Sequence, residues 1–125
     1  MYDRYVGVKW VKGGYSLKTG ADCWGIVVIA MKELFGKTIK ECKGCQDDGL
    51  KLHDTITRET QRYKKVDNPT AGAIVVMYNK HIAEHVGICL DSKNVLHSIN
   101  TSSSINNIRV LKRVFKQVEY YTCQD

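Results

Sequence analysis

The chain has 125 residues, 43% of them hydrophobic and 26% charged, a balance that excludes disordered and fibrous proteins and fits one folded domain over residues 1–125. No uninterrupted apolar run approaches the ~20 residues that cross a bilayer, and residues 1–12 contain no signal-peptide core. The formal charge of +6 suits contact with anionic polymers as readily as plain solubility, and five cysteines, an odd number, cannot all pair within one chain.

In chain order, residues 23–35 (CWGIVVIAMKELF) read as one buried helix that begins at the cysteine and stops at Gly36. Residues 47–65 carry a weaker helical pattern through Leu50, Leu52, Ile56 and Tyr63, with Asp47 or Asp48 as its cap. The only proline, Pro69, lies in the turn Asn68-Pro69-Thr70-Ala71-Gly72, which separates a helical first half from a stranded second half. Apolar or β-branched runs then occupy residues 73–78, 85–90 and 94–98 and predict successive antiparallel strands. Asp91-Ser92-Lys93-Asn94 is a compact turn that makes the last two runs a hairpin. Residues 101–104 read as a loop, and residues 108–114 and 118–123 are expected to extend the sheet. Helices first and strands afterwards indicate an α+β domain.

Cysteine catalysis needs a thiolate, a proton acceptor within hydrogen-bond reach and a third group that orients the acceptor. Cys23 stands at the predicted helix start, where the helix dipole and unpaired amides favour the anion. His85 opens one strand of the hairpin and His97 lies near the end of the next, so a register that puts both on one face lets the imidazoles meet. A cysteine before an apolar helix is more often simply buried, and a strand histidine more often structural. Spacing alone therefore leaves the triad one reading among several.

Gly13-Gly14, followed by Thr19-Gly20-Ala21-Asp22-Cys23-Trp24-Gly25-Ile26-Val27, resembles the nucleophile segment of the NlpC family of cell-wall cysteine peptidases, in particular its phage tail-associated branch. Pro69-Thr70-Ala71-Gly72-Ala73-Ile74-Val75-Val76 is similar to the family's Pro-x-x-Gly-Asp strand, Glu84-His85-Val86-Gly87-Ile88 to its base-bearing strand, and Val95-Leu96-His97-Ser98 to its third-residue strand. The resemblance implies a papain-like α+β fold with the nucleophile at a helix N-terminus packed on an antiparallel sheet. It implies Cys23 as nucleophile, His85 as general base and His97 as its orienter, with no cofactor and no metal. Asp22 and Trp24 would face substrate, and Trp10 or Tyr15 would assist near the oxyanion hole, where relatives often carry a tyrosine. Ala73 replaces the usual acidic residue after the glycine of the second-half motif. The implied substrate is the peptide stem of peptidoglycan, cut through an acyl-enzyme. Implied partners include phage tail proteins, and the implied location is a virion tail, or the cell wall or periplasm on delivery, after synthesis in the host cytoplasm.

Other readings compete for the same residues. His81-Ile82-Ala83-Glu84-His85 fits His-x-x-Glu-His, which on a helix would give a zinc peptidase using His81 and His85. Cys42-Lys43-Gly44-Cys45 is a Cys-x-x-Cys pair, with His53 as a possible further ligand; a surface pair of thiols is the simpler account. Cys89 and Cys123 read as packing residues. A non-catalytic basic module binding cell wall or nucleic acid is the alternative function, although the positive charges are dispersed and nucleic acid is not favoured.

Overall fold

A computed structural model describes residues 2–41 and 49–123. The expectations for Cys42, Cys45 and the Asp47 or Asp48 cap fall outside these residues. Helix α1, Cys23–Phe35, starts and ends where the sequence predicts. Asp22 caps it by accepting from the Gly25 amide, and Gly36 closes it in the left-handed region at φ 69°, its amide and that of Lys37 returning to the Lys32 and Met31 carbonyls. Helix α2 spans Gly49–Thr60. Two short strands, β1 (Tyr15–Ser16) and β2 (Gly20–Ala21), form a small hairpin just before α1.

The main sheet has six antiparallel strands in the order β3-β8-β4-β5-β6-β7. They are β3 (Lys64–Val66), β4 (Ile74–Asn79), β5 (Ile82–Cys89), β6 (Asn94–Ile99), β7 (Ser102–Asn107) and β8 (Gln117–Thr122). The predicted strands of the second half are β4, β5, β6 and β8, and the turn between β5 and β6 is held by Asp91 Oδ1, which accepts from the Lys93 and Asn94 amides at 2.8 Å each.

Three expectations are corrected. The helical pattern expected over residues 47–65 ends at Thr60, and Lys64–Val66 is strand β3, paired with β8. Residues 108–114 form helix α3, Ile108–Val114, rather than a strand: Asn107 caps it by accepting from the Arg109 amide at 2.9 Å, and Ile108 and Leu111 are buried on one face with Phe115 just beyond. Residues 102–104 are not loop but the start of β7, because the open edge of β6 offers a ladder to any backbone laid beside it.

Both faces of the sheet are covered, which is why β4 is apolar at successive positions rather than alternating. Ile74 and Val76 pack with Trp24, Ile26, Val27 and Met31 of α1 and with Leu52 and Ile56 of α2. Val75 and Met77 pack on the opposite side with Ile108, Leu111 and Phe115. Among the described residues no helix is long and apolar enough to cross a membrane.

The glycines of the nucleophile segment have a packing reason. A Cβ built at Gly25 would run into the Gly14 carbonyl, and one at Gly14 into the Gly20 carbonyl. Both obstacles are backbone, so the segment preceding α1 lies against the first helical turn only because these side chains are missing. Gly25→Ala is therefore expected to cost about 2–3 kcal/mol of stability, as overpacking against an unyielding neighbour does. Urea denaturation measures it, and a midpoint equal to that of the parent protein would show that the segment can move aside.

Candidate active site

Cys23 occupies the first position of α1 and is 3% exposed. The start of the helix is fixed from two directions. Asp22 Oδ1 accepts from the Gly25 amide and Oδ2 from the Gly13 amide, both at 2.8 Å, so one carboxylate binds the helix to the preceding loop. From the sheet, Ser98 Oγ donates to the Ala21 carbonyl at 3.2 Å, tying β6 to the residue two before the cysteine.

The β5–β6 ladder pairs Ile88 with Leu96 and Cys89 with Val95. Further along, the His85 and His97 rings meet edge to face, their centroids 5.1 Å apart, with Nε2 of His85 2.9 Å from Nδ1 of His97. Gly87 makes room for this contact: a Cβ there would lie 2.7 Å from Val95 Cγ1, 3.0 Å from the Leu96 carbonyl oxygen and 3.2 Å from His97 Cβ. On its other side His85 stacks on Phe115, centroids 5.8 Å apart and planes 20° from parallel. His97 Nε2 in turn lies 2.6 Å from Asn106 Oδ1 on β7.

Burial, assisted by the adjacent His97, pushes the His85 pKa down to about 3. Burial also lowers His97, against the opposing effect of the Asn106 hydrogen bond. Both imidazoles are therefore neutral near pH 7. A pocket of about 340 Å³ is lined by Cys23, His85, Trp10, Glu84, Ser98, Ile99, Asn100 and Phe115. Past Glu84, Ile99 and Phe115 it adjoins a groove of about 820 Å³ that also touches Lys80, His81 and Lys116.

The fold thus gathers Cys23, His85 and Trp10 around one pocket, with His97 directly behind His85. Trp10 is held there by its amide, which donates to the Thr101 carbonyl at 2.9 Å. The other expected substrate contacts lie elsewhere. Asp22 is 1% exposed, its oxygens are taken by backbone amides, and burial raises its carboxyl while those amides oppose the shift. Trp24 is fully buried, its indole N–H donating to the Lys40 carbonyl at 2.7 Å. Both residues hold the helix in place instead of facing substrate. Tyr15 is half-buried in β1 and does not line the pocket.

The His-x-x-Glu-His segment does not form the helix its zinc reading requires. Residues 82–85 are strand, His81 is exposed at the turn and His85 is buried against His97. His53 Nδ1 accepts from the Ala83 amide at 2.9 Å, and the described residues contain no cluster of three or more metal-binding side chains. Cys89 is a fully buried thiol that burial pushes up to about 12.

The sequence reading missed Ser98, Phe115 and Asn106. The signal for Asn106 was present: if residues 102–107 are read as a strand paired with β6, His97 faces Ser104 and Asn106 follows two residues on, on the same face.

Comparison with known proteins adds relationship to geometry. The chain matches the NlpC/P60 family over residues 7–123. No curated protein matches it in direct comparison. Among solved structures it is similar to the NlpC/p60 domain of the peptidoglycan hydrolase SagA, with TM-score 0.63, 17% identity, 98% of this chain covered and 92% of that one. It is also similar to a lipoprotein-like NLP/P60 protein from Staphylococcus aureus subsp. aureus Mu50, with TM-score 0.66, 16% identity, and 98% of this chain but 39% of that one covered. At such identities the likeness speaks for the fold.

Proposed function

The chain belongs to the NlpC/P60 family, and from that premise we propose that residues 1–125 act as one cysteine endopeptidase domain cutting an amide bond in the peptide stem of peptidoglycan. The observation that carries this reading is the 2.9 Å contact of His85 with His97 beside a pocket that also holds Cys23 at a helix start. The peptidoglycan hydrolase named among the similar structures supports the substrate class.

With Nε2 of His85 engaged by His97, its Nδ1 is the nitrogen that exchanges a proton with Cys23. Nδ1 takes the thiol proton as Sγ attacks the carbonyl carbon, and the negative charge moves to the carbonyl oxygen, where the Cys23 amide stabilises it. The His85 imidazolium then protonates the leaving amine as the C–N bond breaks, leaving a thioester. Water, deprotonated by His85, attacks the thioester; the acid departs and the thiol is restored. Trp10 and Phe115 flank the reacting group, and the adjoining groove receives the rest of the stem.

Digestion of purified peptidoglycan followed by mass spectrometry of the fragments tests the activity. New amine and carboxyl ends within the stem are expected, and an undigested wall refutes it. Alkylation provides an independent check: iodoacetamide at neutral pH is expected to label Cys23 well before Cys89, whose thiol is buried and raised to about 12. Modification of another cysteine first, with Cys23 unreacted and activity lost, would move the nucleophile elsewhere.

The finer reading is a phage tail-associated hydrolase. It is supported by the likeness of Asp22-Cys23-Trp24-Gly25 to that branch, and a charge of +6 would hold the enzyme near an anionic wall, less strongly as salt rises. Mass spectrometry of purified virions is expected to find the polypeptide. Its absence there, with abundance in growing cells, removes the tail role and leaves the chemistry in place.

A further inference from the structure

We propose that Asn106 is a positioning residue that sets the tautomers of both histidines through a hydrogen-bond relay ending at a bare Nδ1 on His85. The inference rests on the peptidase reading only for its consequence in catalysis; the relay itself is a statement about protons in the folded protein.

The chain of constraints begins at an atom that can only accept. Asn106 Oδ1, an amide oxygen, lies 2.6 Å from His97 Nε2, so that nitrogen carries the hydrogen. Ser104 Oγ donates to the same oxygen at 3.2 Å, so the amide oxygen is shared between the histidine and the serine of one strand face. A neutral imidazole has one N–H, and burial keeps both rings neutral. His97 Nδ1 is therefore a lone pair, and His85 Nε2, 2.9 Å away, must donate to it. That places the single hydrogen of His85 on Nε2 and leaves its Nδ1 bare. A bare Nδ1 is what the Cys23 thiol needs in order to give up its proton. With the opposite assignment along the chain, His85 would present an N–H to the thiol and could not act as base.

The sheet, not a mobile arm, supplies this relay. The β6–β7 register sets His97 opposite Ser104 and Val95 opposite Asn106, so the histidine and both of its supporting side chains share one face. The next residue, Asn107, caps α3, and the Ile108 amide donates to the Lys93 carbonyl at 2.8 Å, so the end of β7 is pinned immediately beyond Asn106. As His85 gains its proton during the reaction, each hydrogen bond in the chain polarises the next and the charge is shared outward to Asn106.

The test reads ring protons directly, by long-range 1H–15N NMR on protein labelled with 15N-histidine, in the parent, Asn106→Asp and Asn106→Leu, alongside kcat and KM on a stem peptide. In the parent both His85 and His97 are expected to carry hydrogen on Nε2 with Nδ1 bare. Asn106→Asp keeps an acceptor and should preserve that pattern. Asn106→Leu should give mixed His85 tautomers and lower kcat roughly tenfold to a hundredfold with KM little changed, by analogy with the outer partners that orient metal-binding histidines. Hydrogen on Nδ1 of His85 in the parent overturns the proposal, as do unchanged tautomers and kcat in Asn106→Leu. If Asn106→Leu does not fold, an Asn106→Asp variant that loses the Nε2–H pattern overturns it. Ordered tautomers in a folded protein that hydrolyses no stem peptide would support the relay and sink the peptidase reading, so the two fail separately.

Discussion

Cys23→Ala and His85→Ala are each expected to lower stem-peptide hydrolysis by about 10⁴-fold or more, the scale on which removing one member of a nucleophile–base pair acts. The first removes the only atom that forms the covalent bond; the second removes the imidazole that takes the thiol proton from the pocket both residues line. The losses should not add, because either change disables the same step, and the double variant should be no worse than the single ones. His97→Asn should retain a measurable rate, since it keeps a polar group behind His85 without itself moving the thiol proton. Chromatographic and mass-spectrometric assay of released fragments reads all four variants. Full activity in Cys23→Ala, with the protein folded, would end the cysteine-peptidase reading, and binding to wall fragments retained by that variant would measure how much affinity is independent of the chemistry.

The second large effect is on stability. His85, depressed to about 3 in the fold from an ordinary value of 6.5, is neutral in the native state and readily protonated once unfolded. Between those two values the unfolded chain binds the extra proton, so the free energy of unfolding increases with pH. The stability is present above about 6.5 and is lost as pH falls towards about 3, with a full loss on the order of 5 kcal/mol. His97, also lowered, acts in the same direction, whereas Asp22, raised by burial, acts in the opposite one. Urea titrations at a series of pH values, comparing the parent with His85→Gln, isolate the histidine contribution. The variant should show a flatter dependence over this window, and parallel curves would mean that His85 does not resist protonation in the folded protein.

Legibility in the sequence followed the range of the interactions involved. Cys23–Phe35 could be read because its signals are local: an apolar run and a Gly stop. The β5–β6 hairpin could be read because Asp91 and Asn94 make the turn themselves. Residues 108–114 misled because Ile, Val, Leu and Val at short spacing suit a strand as well as a helix. What decided them was the Asn107 cap together with the apolar second face of the sheet, which Ile108, Leu111 and Phe115 cover. The serines of β7 misled in the opposite sense, since nothing in Ser102-Ser103-Ser104 favours a strand until β6 lies alongside.

The same division holds at the site. The residue types and their order were determined by the sequence alone, and alternation along two strands joined by a short turn made a shared face for His85 and His97 one of two outcomes; the β5–β6 register, Ile88 with Leu96, chose it. Which polar and aromatic groups point at the pocket was decided only by the tertiary structure. Asp22 and Trp24 flank the nucleophile in the chain, yet successive helix positions diverge by about 100° and the start of the helix has backbone donors to satisfy, so both turn inward to Gly13, Gly25 and Lys40. Phe115 and Asn106, far from Cys23 in sequence, arrive from α3's end and from β7 because sheet order carries distant segments to one place.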